Sequence, residues 1–137
     1  PKPSSAASDV YKRQVWGSGK ALREFLHVDD LSVAAFIIMN LDKKAYHDIL
    51  YKIGESHINV GSGEEISISK LCKLLKKISK FKGKIVFNNN DLDGVMSKIL
   101  DSSHMRSLGW SANISIENGL KESFEWFSKN YQSIQRK

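Results

Sequence analysis

The chain has 137 residues, a formal net charge of +6, 41% hydrophobic residues and 26% charged residues. This length supports one modest domain with a real core, and the composition is that of an ordinary globular protein. No apolar run approaches the ~20 residues of a membrane helix. The single cysteine, Cys72, excludes an intramolecular disulfide framework and fits a reducing cytoplasm. The four histidines lack the spacing of a zinc site, so we predict no metal.

Much of the positive charge lies on or just after one predicted helix, in Lys70, Lys73, Lys76, Lys77, Lys80, Lys82 and Lys84. Lysines without interleaved aromatic residues are typical of a solvated face. We therefore expect neither nucleic acid nor a membrane surface as a partner. A non-catalytic module that holds an acidic partner through this helix stays open as an alternative.

The first segment, residues 1–14, is small, polar and aperiodic. Such a composition cannot bury enough apolar surface to fold, so we predict a disordered and non-native leader. A natural flexible tail would have the same composition. The folded part is then expected to be one domain over residues 15–137.

Residues 15–31 combine an aromatic side chain, a glycine turn and a lone arginine. The two glycines permit a tight turn with close backbone approach, and Arg23 then lies on the extended residues that follow. A planar guanidinium suits bidentate contact with a phosphate, and Trp16 offers a flat apolar surface beside it. We predict a phosphate-facing ligand segment. The alternative is structural, with Trp16 in the core and Arg23 paired to Glu24 or Asp29.

Downstream, the apolar spacing predicts a helix over residues 29–41 that Asp29 and Asp30 cap. Residues 45–55 form a short helix or a loop. A strand over residues 56–63 should run into a glycine turn, which we interpret as structural. Ser67 should cap a helix over residues 66–79, with Cys72 on its apolar face, and a strand follows over residues 84–87.

The C-terminal part begins with a short helix that ends at Leu108-Gly109-Trp110, where glycine is a natural helix stop and Trp110 closes the domain. Ser115 can cap a last helix with one apolar face. The expected fold class is therefore α/β. It should be a small mixed lobe of about three main helices and several short strands, with some apolar surface exposed.

Residues 23–30, Arg-Glu-Phe-Leu-His-Val-Asp-Asp, resemble the segment after the substrate loop in extended short-chain dehydrogenase/reductase enzymes that act on nucleotide sugars. Ser-His-Ile-Asn-Val-Gly at residues 56–61 and the Asp-Gly-x-x-x-Lys-x-Leu-Asp pattern at residues 93–101 resemble the GDP-L-fucose synthase family in particular. The resemblance implies the C-terminal substrate domain of an NADPH-dependent epimerase/reductase, without its N-terminal Rossmann half. It implies a GDP-sugar as the ligand.

Four residues carry over as substrate contacts by this resemblance: Trp16, Arg23, Asp93 and Lys98. A carboxylate can accept hydrogen bonds from a guanine edge, and a lysine can reach a phosphate or a carbonyl oxygen. The family usually has an arginine just before this lysine, where the present chain has Ser97. One fewer cation at the site puts the nucleotide affinity in question.

The family's redox chemistry needs a Tyr-x-x-x-Lys pair and a glycine-rich strand-turn-helix for the cofactor. Neither pattern occurs in this sequence. We therefore expect no catalytic residue, no NADPH binding and no activity from this chain alone. The full-length family is a homodimer built mainly by its other half, so we expect no such dimer here. Another nucleotide-sugar epimerase or dehydratase stays open, since Arg-x-Phe-x-x-Val-Asp-Asp occurs across the superfamily.

Overall fold

The computed structural model of the protein describes residues 12–54, 56–88 and 93–134. Within these ranges the chain forms four short strands and five helices, which confirms the predicted α/β class and adds helices to the three expected. In chain order they are β1 (Lys12–Trp16), β2 (Leu22–Glu24), α1 (Val28–Met39), α2 (Lys43–Ile53), β3 (Glu65–Ser67), α3 (Ile68–Ile78), β4 (Lys84–Asn88), α4 (Ser103–Ser107) and α5 (Ile116–Ile134).

The chain divides into two compact units, of which the first comprises Pro1–Arg23, Ile66–Ser97 and Leu120–Lys137. In this unit β1 and β4 pair in parallel, with Lys12 opposite Lys84 and Trp16 opposite Asn88. The predicted leader over residues 1–14 is therefore wrong for residues 12–14, because their backbone belongs to a paired strand. Residues 1–11 lie outside the described residues.

Helix α3 begins as its sequence predicts. The Ser67 hydroxyl accepts the backbone N–H of Lys70 at 3.2 Å, which satisfies one free donor of the first turn. Cys72 is half-buried on the helix. Short strand β2 pairs with β3, and just beyond them the N–H of Ile68 donates to the carbonyl of Ala21 at 3.0 Å. These bonds fix the first turn of α3 beside the glycine turn.

The second unit comprises Glu24–Glu65 and Lys98–Gly119. Its core is built on Ala34, Met105 and Trp110, which are at most 4% exposed, and on the half-buried residues packed against them: Leu26, Ile37, Ile38, Ile58, Val60, Leu108 and Ala112. The indole N–H of Trp110 donates to the carbonyl of Asp30 at 3.2 Å. Trp110 therefore holds α1 against the loop after α4, as its predicted architectural role requires.

The start of α1 differs from the prediction. His27 is the N-cap residue, and its Nδ1 accepts the N–H of Asp29 at 3.3 Å. Asp29 and Asp30 lie in the first turn, where a negative charge is favourable but no cap is made. Asp30 is buried, and its two carboxylate oxygens accept the N–H groups of Asn113 at 3.1 Å and Ile114 at 2.9 Å.

Two further predictions needed correction or were left open. In the segment 45–55, the helix runs to Ile53, because Asp42 caps α2 by accepting the N–H of Ala45 at 2.8 Å and Gly54 ends it in the left-handed conformation. Residue 55 lies outside the described residues. The strand predicted over residues 56–63 is wrong, since these residues form no ladder. The Ser115 hydroxyl accepts the N–H of Asn118 at 3.4 Å, as predicted for the start of α5.

Helix α1 leaves much of its apolar surface open. Phe36 and Met39 are 68% and 82% exposed, and Leu31 is 46% exposed. No helix in the described ranges has the length and hydropathy that a membrane crossing requires.

Candidate functional site

The site is built around the glycine turn that joins β1 to β2. Gly17 has a φ of +77°, a left-handed conformation that residues with a Cβ rarely adopt. A Cβ at this position would lie 2.5 Å from Oδ1 of Asp93. The glycine is therefore required twice, once by its backbone conformation and once by the close approach of Asp93.

Asp93 holds the turn through Ser18. Its Oδ1 accepts the backbone N–H of Ser18 at 2.8 Å, and its Oδ2 accepts the Ser18 hydroxyl. The Ser18 hydroxyl, followed by the Ser18 N–H, lowers the pKa of Asp93 below its ordinary value, because both bonds stabilise the carboxylate. Asp93 is thus an anion that fixes a loop, with lone pairs left over for another donor.

Arg23 is fixed at the same place. Its NH1 group donates to the carbonyls of Leu22 at 2.5 Å and Val95 at 2.8 Å. The backbone N–H of Leu22 also donates to the carbonyl of Met96 at 2.7 Å, which ties residues 93–96 along β2. With NH1 used, the Nε and NH2 groups of Arg23 supply the pair of parallel N–H donors that suits a phosphate.

Trp16 lies at the end of β1 and is 83% exposed, so it is not a core residue. An exposed indole offers a flat face on which a base or sugar can stack. A cavity of about 610 Å³ opens beside it, within the volume range of small-molecule sites. Its walls are formed by Trp16, Gly17, Ala21, Arg23, Ile68, Asn88, Asp93 and Gly94.

Three of the four predicted site residues therefore line one cavity: Trp16, Arg23 and Asp93. Lys98 does not line it and belongs to the second unit, where its backbone N–H donates to Oε1 of Glu65 at 3.0 Å. The purely structural alternative fails for Trp16. Within the described residues, the hydrogen bonds of Arg23 are with carbonyl oxygens, and neither Glu24 nor Asp29 is its partner.

Ser18 and Asn88 are site residues that sequence reasoning missed. Ser18 stands between the two glycines of the turn, and that Gly-Ser-Gly pattern was the available signal. Asn88 ends β4 opposite Trp16, so it reaches the cavity only because the two strands pair in parallel. Strand pairing over such a distance leaves no mark in the local sequence.

Glu24, next to Arg23, has a structural task in the second unit. Its carboxylate accepts the N–H of Gly63 at 2.6 Å through Oε1 and the N–H of Leu100 at 2.9 Å through Oε2. One side chain thereby joins two loops far apart in the chain. Glu24 therefore lies next to Arg23 in the chain, but its contacts hold loops of the second unit in place.

The chain is similar to known proteins. The model of the NAD dependent epimerase/dehydratase family matches residues 4–61, a match that begins inside the predicted leader. GDP-L-fucose synthase of Escherichia coli K12 is 40% identical over 116 residues, which cover 85% of this chain and 36% of that protein. The chain is thus similar to the NAD dependent epimerase/dehydratase family and to enzymes named GDP-L-fucose synthase.

A further relative and a solved structure are similar to the chain. GDP-L-fucose synthase 1 of Arabidopsis thaliana is 40% identical over 85% of this chain and 33% of its own length. The crystal structure of a GDP-L-fucose synthetase from Naegleria fowleri bound to NADP superposes with a TM-score of 0.74 at 26% identity, covering 93% of this chain and 37% of that one. The chain thus spans about a third of the length of the curated relatives it matches.

Two glycine turns of the described residues can be compared with the turn that binds a dinucleotide. A dinucleotide-binding turn leads from a strand into a helix whose N-terminus faces the pyrophosphate. Here the turn over residues 17–19 leads into β2, and the turn over residues 61–63 leads into β3. Neither turn fits NADP.

Proposed function

We propose that this chain is the C-terminal, substrate-binding portion of GDP-L-fucose synthase. That enzyme converts GDP-4-keto-6-deoxy-D-mannose to GDP-L-fucose by epimerisation and NADPH-dependent reduction. The observation that carries the proposal is the cavity of about 610 Å³ in which an exposed indole and a fixed guanidinium lie together. The identity of 40% to the Escherichia coli enzyme supports the choice of substrate.

Each of the four residues has a proposed role. Arg23 binds the pyrophosphate through Nε and NH2, because its NH1 is committed to backbone carbonyls. Trp16 stacks on the nucleotide, and Asp93 accepts N–H groups of the guanine edge with the lone pairs that Ser18 leaves open. Lys98 is assigned to a phosphate or carbonyl oxygen on the resemblance of its motif alone.

The hydride chemistry belongs to the rest of the enzyme. In the full-length protein NADPH supplies the hydride, and the N-terminal Rossmann half binds it. We propose that the present chain alone binds no cofactor, has no redox activity and does not form the family's homodimer. We also propose a cytoplasmic location, supported by the single half-buried thiol of Cys72.

The test is calorimetric titration of the chain with GDP, using UDP as the control nucleotide. We expect GDP-selective binding that Arg23→Ala weakens by roughly 10- to 100-fold, the ratio for losing a charged hydrogen-bonded contact. Arg106→Ala is the matched control, because Arg106 is exposed in the second unit and pairs with Asp101 at 3.7 Å.

Two results would contradict the proposal. GDP and UDP binding with equal affinity in a folded chain would remove the guanine assignment. Oxidation of NADPH by the isolated chain in the presence of GDP-4-keto-6-deoxymannose would show that the catalytic machinery is not confined to the missing half.

A further inference from the structure

A second cavity lies in the first unit, between α3 and the β1–β4 sheet. It measures about 390 Å³, and no described residue lines both this cavity and the proposed GDP site. Its wall includes four apolar side chains, and these are Val15, Leu75, Phe81 and Ile85. Leu75 is 40% exposed, so the groove is open to a ligand.

Two cations also line the groove, and among the described residues no acidic side chain does. These cations are Arg13 on β1 and Lys76 on α3. The guanidinium carbon of Arg13 lies 5.9 Å from the centroid of the Phe81 ring, a cation–π distance that holds the charge over the apolar wall. A groove with apolar walls and cations selects a ligand that is apolar with a negative head.

The surrounding charge strengthens that selection. Between Ile66 and Asn88 the chain carries seven lysines and no Asp or Glu. Lys12 and Lys84 stand directly opposite each other on paired strands, an arrangement that repulsion disfavours and that a nearby anion relieves.

We propose that this groove binds an anionic amphiphile, a small molecule with a carboxylate or similar anionic head and an unbranched apolar tail. The tail lies along Val15, Leu75 and Ile85. The head contacts Arg13 and Lys76. The volume is that of a small-molecule site, which favours a single amphiphile over a protein segment.

The groove contains its own reporter. Cys72 lines it and is the single cysteine of the chain. Burial raises the pKa of the Cys72 thiol, so its alkylation is slow and depends on access through the groove. A bound tail should therefore shield this one thiol and slow its reaction with a small neutral reagent.

The experiment measures the rate of Cys72 alkylation by N-ethylmaleimide with decanoate below its micelle-forming concentration. Decyltrimethylammonium, with the same tail and a positive head, is the control ligand. We expect decanoate to slow alkylation severalfold and the cationic amphiphile to have little effect. Saturating GDP should leave the rate unchanged, because the two cavities have separate walls.

The variants test the head-group contact. Arg13→Gln should raise the decanoate concentration for half-protection by roughly tenfold, as loss of a charge-assisted contact predicts. Lys76→Gln serves the same purpose if Arg13→Gln disturbs the strand. Arg106→Gln removes one positive charge elsewhere and should not change protection. Protection is compared with and without ligand for each variant, which cancels changes in intrinsic thiol reactivity.

Three outcomes would overturn the proposal. They are equal protection by both amphiphiles, an absence of protection by decanoate, and unchanged decanoate protection in both Arg13→Gln and Lys76→Gln. Failure of GDP to bind would leave this result untouched, so the groove and the proposed function can fail separately.

Discussion

The neighbouring pair Asp29 and Asp30 gives a sharp test of the fold, because the two carboxylates share one helix turn but differ in burial. Asp30 is 5% exposed, and its oxygens accept the N–H groups of Asn113 and Ile114. The side chain of Asp29 is 72% exposed and lies 3.8 Å from His27. Replacing each by alanine separates long-range anchoring from charge at the helix start.

For Asp30→Ala we expect a loss of about 2–4 kcal/mol in the free energy of unfolding. Each lost hydrogen bond to a charged acceptor contributes ~1.5–3 kcal/mol, and water can replace part of the bond at the exposed Asn113. The lost charge in the first turn adds ~0.3–1 kcal/mol. Asp29→Ala should lower the free energy of unfolding by only ~0.3–1 kcal/mol, the contribution of the charge in the first turn.

The assay is urea unfolding of both variants, combined with amide hydrogen exchange at Asn113 and Ile114. In Asp30→Ala these two amides should exchange faster than in Asp29→Ala. Equal loss of stability in the two variants would refute the reasoning, because the contacts seen at Asp30 would then contribute nothing beyond the helix charge.

Two further predictions concern the glycine turn. Ser18→Ala should raise the pKa of Asp93 toward its ordinary value of 3.8, measured by NMR titration of the carboxyl group. Because the pKa of Asp93 is lowered in the folded chain, the carboxylate stabilises the fold above pH 3.8. This stabilisation is lost as the pH falls through the lower pKa of the folded state. Ser18→Ala should therefore weaken this dependence of stability on pH. Gly17→Ala should lower GDP affinity at least tenfold, since its Cβ would displace Asp93, whereas Gly63→Ala, where a Cβ meets nothing, should not.

Local signals in the sequence predicted a good part of the structure. The Ser67 cap, β4, the α4 stop at Gly109 and the glycine turn each depend on residues within one or two turns of chain. Arg23 could be chosen as a phosphate ligand because its guanidinium chemistry is independent of its neighbours. Trp16 followed from the same reasoning, and its exposure supports it.

The features that the sequence did not predict share one physical cause. Asp30 and Ile114 are 84 positions apart, and Ser18 and Asp93 are 75 apart. A carboxylate can accept the N–H groups of a helix start or those of a distant loop. The sequence alone therefore does not reveal which N–H groups it accepts. Residues 12–14 were misassigned for a related reason. Their polar side chains suggest disorder, whereas their pairing with β4 depends on residues more than seventy positions away.

The structure explains why so many residues of the motif over residues 23–30 are recognisable. Arg23 lines the cavity of the first unit. In the second unit, Glu24 accepts N–H groups from Gly63 and Leu100. Leu26 packs on the core, and Asp30 holds the loop at Ile114. Only Arg23 of this motif lines the cavity. The motif therefore identifies a fold more strongly than a substrate, which is why the choice of GDP must be tested at Arg23 and Asp93.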